Sequence, residues 1–123
     1  MITQSPVIYK PEVIKKYSSN WKSNYIDLGH SWAPLDFIGT VQNQHFFENA
    51  LHGDLYINPN TRNGEDTITL IDCGILNSLS VEMMTDDSWD SDSQMKCANE
   101  LEFMGVAICG PQPGPACKDT RIQ

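Results

Sequence analysis

Met84-Thr-Asp-Asp-Ser-Trp-Asp-Ser-Asp-Ser-Gln94 places four aspartates in seven positions around a single tryptophan. The fold on either side depends on what this stretch is: a metal loop, the solvated entry to a helix, or an acidic surface held out for a partner.

The calcium reading fails on spacing. An EF-hand loop needs oxygen ligands at positions 1, 3 and 5, glycine at 6 and a bidentate glutamate at 12. Counting from Asp86 puts Ser91 and Cys97 at those last two positions, and counting from Asp90 puts Met95 and Leu101 there. The expectation is no tight calcium site.

Helix entry accounts for Asp90, Asp92 and Ser93. Carboxylates and hydroxyls ahead of a helix satisfy its free N–H groups and complement its dipole, at about 0.5–1 kcal/mol each. Ala98, Leu101, Met104, Gly105 and Ile108 then give one apolar helix face from Ser93 to Cys109, with Gly110-Pro111 as the stop. Asp86 and Asp87 sit a full turn too early to cap that helix. Trp89 either folds back onto the core or stands out as an interface anchor, a role in which tryptophan is enriched.

Upstream the period is two. Leu79, Val81 and Met83 alternate with Ser80 and Glu82, which predicts a strand reached through a turn at Asn77-Ser78. Asp54–Asn58 and Thr67–Asp72 also alternate, on either side of the turn-rich Pro59–Gly64, which predicts a hairpin with a long loop. Nearer the N-terminus, Pro11 to about Tyr25 has Val13, Ile14, Tyr17 and Trp21 at helical spacing. Asp27–Gly39 reads as loop. Thr40–His52 reads as a short helix with Thr40 as N-cap and Gly53 as stop. Together these predict one α+β domain over residues 1–123. It has an antiparallel sheet of about three strands, two or three helices, and a Pro/Gly-rich tail from 110 to 123.

Composition narrows the function. The 123 residues are 40 % hydrophobic and 20 % charged, with three Trp, four Phe and four Tyr, enough to bury one core and not the composition of a disordered tail. No apolar run is long enough to cross a membrane. The first ten residues lack a basic region followed by an apolar run, so the expected compartment is a cytoplasm, the producer's or a host's. Residues 1–25 carry a net charge of +3, residues 26–102 carry −12 and the remainder +1. Such acidity disfavours direct nucleic-acid binding, where phosphate neutralisation supplies much of the affinity. It favours a basic protein partner through electrostatic steering.

Cys73, Cys97, Cys109 and Cys117 form no C-x-x-C pair, which argues against a zinc finger or ribbon. His45 and His52, seven apart, would lie two turns apart on a helix, too far to share an ion. His30 is the third histidine. Reduced thiols are expected, with Cys109–Cys117 the first pair to suspect of a disulfide. No phosphate loop, G-x-S-x-G or H-E-x-x-H occurs, and the only enzymatic reading is a cysteine nucleophile at Cys73 beside a distant histidine.

The expected function is therefore that of a non-enzymatic, cofactor-free inhibitor. It would be a monomer or small oligomer that occludes the basic site of a nuclease or other nucleic-acid enzyme, as toxin-immunity and phage anti-defence proteins do. The residues expected to bind are Glu82, Asp86, Asp87, Trp89, Asp90 and Asp92. The alternatives are an assembly subunit, for example of a virion, and a small cysteine-dependent enzyme.

Overall fold

A computed structural model describes residues 7–110 and 122. Its strands are β1 (Val7–Ile8), β2 (Trp21–Leu28), β3 (Gly39–Phe47), β4 (Ala50–Ile57), β5 (Ser78–Asp90) and β6 (Met95–Cys109), and its helices are α1 (Pro11–Lys16) and α2 (Arg62–Asp72). All six strands join one mixed sheet. β6 pairs antiparallel with β5 on one side. On its other side it pairs in parallel with β1 near Lys96 and with β2 from Phe103 to Ile108. β3 and β4 continue antiparallel from β2. The expected sheet of three antiparallel strands is thus corrected to a larger, mixed one, with only two α-helices among the described residues.

The largest correction lies where a helix was expected from Ser93 to Cys109. This segment is β6, the longest strand. Against β5 it carries two bulges, because Met104 is skipped between Gly105↔Glu82 and Phe103↔Met83, and Asn99 between Glu100↔Asp86 and Ala98↔Asp87. Each bulge adds one residue to the alternation. Apolar residues then fall at spacings of three, as in Ala98 to Leu101 and Phe103 to Val106, and imitate a helix. The acidic stretch is accordingly the end of β5 and a hairpin turn, Ser91–Gln94, not a helix entry.

Thr40–His52 is likewise a hairpin and not a helix. Glu48 and Asn49 both take positive φ, 50° and 62°, the conformation of a two-residue turn whose twist matches the strands it joins. The expected helix from Pro11 shortens to α1, and Trp21 begins β2. Residues 67–72, expected as a strand, lie in α2. Thr61 caps that helix, its Oγ1 accepting from the Gly64 N–H at 3.1 Å. Gly64 is required there, since a Cβ would overlap the Asn58 carbonyl.

The sheet has two unlike faces. One carries Val41, Ile26, Leu101, Phe103, Val106, Ile108 and Val81. Two clusters form on it and meet at Trp21 and Val81, which pack against both. Ile71 of α2 covers the first cluster; Val13, Ile14 and Tyr17 from α1 and the turn after it cover the second. Burying a side chain such as Ile26 or Leu101 contributes about 1.5–3 kcal/mol. The opposite face carries Tyr56, Asp54, Tyr25, Asp27, Gly105, Ser80, Glu82, Asp86 and Glu100, by strand alternation and register. The segment 29–37 folds onto that face, with Trp32 and Phe37 against Tyr25 and His30 against Glu82.

Candidate functional site

The distal half of the β5–β6 hairpin forms an arm whose polar face is acidic. β5 alternates without interruption, so Glu82, Met84, Asp86, Ser88 and Asp90 share this face. Across the ladder Glu102 stands opposite Met84 and Glu100 opposite Asp86. Like charges directly opposite in a sheet repel. No lysine or arginine forms a salt bridge with them among the described residues, and Lys10 acts on Asp90 only at longer range. At the tip Asp90 shapes the turn, its Oδ1 accepting from the Asp92 N–H at 3.3 Å and its Oδ2 from the Ser93 hydroxyl at 2.9 Å. These contacts, the Ser93 hydroxyl foremost, hold the Asp90 carboxyl below the usual carboxylate range.

The structure divides the six residues expected to bind. Asp86 and Asp90 lie on the acidic face. Asp87 and Trp89 lie on the other face, opposite Ala98 and Lys96. Trp89 is 62 % exposed, so it does not fold back onto the core. Asp92 is exposed in the turn. Glu82 is only 7 % exposed and belongs to a different constellation.

That constellation sits at the root of the arm. Tyr25 donates its hydroxyl to Glu82 Oε2. His30 Nδ1 lies 2.7 Å from Glu82 Oε1. Asp27, fully buried, accepts from the Leu28 N–H at 2.8 Å on Oδ1 and from the Trp32 N–H at 3.2 Å on Oδ2. Burial first, then the neighbouring Glu82 carboxyl, raises the Asp27 carboxyl above its ordinary range. Burial and the hydrogen bond to Glu82 raise the Tyr25 phenol. Burial, with the Glu82 charge, also pushes the Cys109 thiol up. Trp32 and Phe37 pack edge-on to Tyr25, at 5.7 and 4.9 Å between ring centres. Gly29, His30 and Trp32 all have positive φ near 60°. The carboxyl groups therefore hold a strained loop in place, and both Glu82 oxygens are already taken. Such a network fixes the conformation of the loop. Locally Asp27–Gly39 has the composition of a loop, and no local signal joins Tyr25, Asp27 and His30 to Glu82, more than fifty residues away.

Cys73, the proposed nucleophile, ends α2 with its Sγ donating to the Leu70 carbonyl at 3.5 Å, and no histidine hydrogen-bonds to it. Cys73, Cys97 and Cys109 are free thiols; Cys117 lies outside the described residues, as does most of the expected Pro/Gly tail. Among the described residues no group of three or more His, Cys, Asp or Glu side chains is placed to hold a metal ion, and no helix is long and apolar enough to cross a membrane. Comparison with family models, with curated proteins and with solved structures returns no match.

Proposed function

We propose that this chain is a binding protein that presents its β5–β6 arm to a positively charged cleft on a target protein, in the cytoplasm of the producing or host cell. The observation that supports this reading is the acidic ladder of Asp86, Asp90, Glu100 and Glu102, none of which forms a salt bridge among the described residues. It weakens the free hairpin by self-repulsion, and a basic partner would relieve that repulsion. Asp87 and Trp89 lie on the reverse of the same arm. A partner contacting both sets must close around the tip, which suits a groove better than a flat surface. Grooves of this charge are found in enzymes that handle nucleic acids, so inhibition by occlusion is the function proposed. The chain itself performs no chemistry in this reading.

The test is capture from host lysate on the immobilised chain, compared with capture on a variant carrying Asp86→Asn, Asp90→Asn, Glu100→Gln and Glu102→Gln. The expected result is a basic protein retained at low salt, released as salt rises, and lost with the folded variant. Screening supports that expectation, since the Debye length falls from about 10 Å at 0.1 M to about 3 Å at 1 M. Equal retention of the same proteins by both, insensitive to salt, would sink the proposal.

An assembly subunit is the second reading. β4 has no strand partner on its outer edge among the described residues, and Phe47 and Tyr56 are exposed beside that edge. Unpaired edges invite pairing with another chain. Sedimentation that shows concentration-dependent self-association with little salt dependence would favour it.

A further inference from the structure

The β3–β4 hairpin carries a feature that the acidic arm does not use. His45 and His52 are direct cross-strand partners, and their imidazole rings stack with centres 5.6 Å apart and planes 19° from parallel. Both are exposed. The helical reading that kept them two turns apart is reversed: on a hairpin, seven residues of separation bring two side chains face to face.

Each ring spends one nitrogen on a backbone carbonyl. His45 Nδ1 lies 2.8 Å from the Asn43 carbonyl, and His52 Nε2 lies 3.1 Å from the Phe47 carbonyl. A carbonyl oxygen only accepts, so those nitrogens carry the hydrogens. In the neutral ring that leaves a lone pair on His45 Nε2 and on His52 Nδ1, and neither has a hydrogen-bond partner among the described residues. Metal-binding histidines are oriented in this way, with the second ring N–H tied to a carbonyl. The rest of the hairpin supports the pose. The positive-φ pair Glu48-Asn49 fixes the turn and hence the register, and an Asn43 bulge, φ 56°, sets the carbonyl that His45 holds. Asp54 lies two residues along β4 from His52 on the same face and adds negative charge nearby.

We infer that His45 and His52 form a bidentate site for a divalent first-row transition metal, with water completing the coordination. Paired imidazoles suit zinc, copper and nickel, whereas calcium and magnesium seek oxygen. The site is at the opposite edge of the sheet from the acidic arm and does not depend on the function proposed for that arm.

Zinc(II) alone serves as the probe, in a non-coordinating buffer with Cys73 replaced by serine. Calorimetry should show a site that weakens at least about tenfold in His45→Gln and in His52→Gln, and disappears in the double variant, while calcium gives no heat dependent on these residues. In the same titration the ring signals of His45 and His52 should shift in nuclear magnetic resonance spectra, and those of His30 should not. The ring signals are read on the chain with both histidines intact, so the answer does not depend on the variants folding. Zinc binding unchanged in the double variant, or no shift of the two rings up to millimolar zinc, would overturn the assignment.

Discussion

Tyr25 on β2 reaches Glu82 on β5 across the full width of β6, and the residue beneath the reach is Gly105. Gly105 is the register partner of both, so the three positions form one row on the polar face. A Cβ at Gly105 would come within 2.6 and 2.8 Å of the Tyr25 ring carbons and press on the Tyr25 carbonyl as well. Gly105→Ala is therefore expected to destabilise the fold by about 1–3 kcal/mol through overpacking. Urea unfolding monitored by far-ultraviolet circular dichroism measures it, and a neutral effect would contradict the row.

The Tyr25–Glu82 hydrogen bond should behave as a coupled pair. Tyr25→Phe leaves Glu82 Oε2 without its donor, and an unsatisfied buried acceptor costs about 1–3 kcal/mol. In a double-mutant cycle with Glu82→Gln, the interaction energy is expected to exceed about 0.5 kcal/mol. Additive losses would show that the two side chains act independently.

Asp27 gives the fold a pH dependence of definite sign. Its carboxyl holds its proton better in the folded chain than in the unfolded one, because burial and Glu82 both disfavour the charge. The stability it contributes is complete below the unfolded carboxylate range, near pH 4, and is lost as pH rises through the higher folded value. Asp27→Asn removes this titration. The stability of the unmodified chain minus that of the variant should fall between pH 4 and pH 7 in denaturant titrations; a rise would reverse the assignment.

Asp86 and Glu100 face each other with the same charge. Glu100→Gln is expected to stabilise the hairpin by about 0.2–1 kcal/mol at low salt, since like charges directly opposite repel by that order. Added sodium chloride should raise the melting temperature of the unmodified chain more than that of the variant. An identical salt response in scanning calorimetry would mean the ladder is not a source of repulsion.

The described thiols should differ in reactivity. Cys73 is exposed, whereas Cys97 and Cys109 are buried and burial raises the Cys109 thiol. Brief alkylation of the native chain, followed by peptide mapping, should label Cys73 well ahead of the other two, with all three labelled after denaturation.

How much of this was legible in the sequence depends on where alternation survives. Leu79, Val81 and Met83 announced β5, and Leu55 and Ile57 announced β4, because neither strand is bulged at those positions. β6 hid behind its own bulges: Asn99 and Met104 convert a period of two into spacings of three. Thr67–Leu70 alternates by chance inside a helix whose start, Thr61 capping Gly64, reads as a turn. The acidic density of the arm was visible, but its division between two faces was not, since that depends on pairing with Lys96–Glu102. The cluster of Tyr25, Asp27, His30 and Glu82 was invisible for a plainer reason. It is assembled by a parallel pairing between segments about eighty residues apart, and nothing local records such a contact.

That pairing also bears on how the chain is made. β6 touches β1, β2 and β5, and it is the last of the six strands to leave the ribosome. Until residues 95–109 emerge, β2 has no parallel neighbour, and the apolar side chains of Ile26 and Trp21 lack their packing against Val106, Ile108 and Phe103. Early in synthesis only β2, β3 and β4 can pair with one another. Contacts of such sequence separation slow folding, so the nascent chain passes through a long interval in which its sheet is missing its middle. Lengthening that interval, for instance by stalling translation just before Met95, should trap the chain with three strands formed and its central seam open.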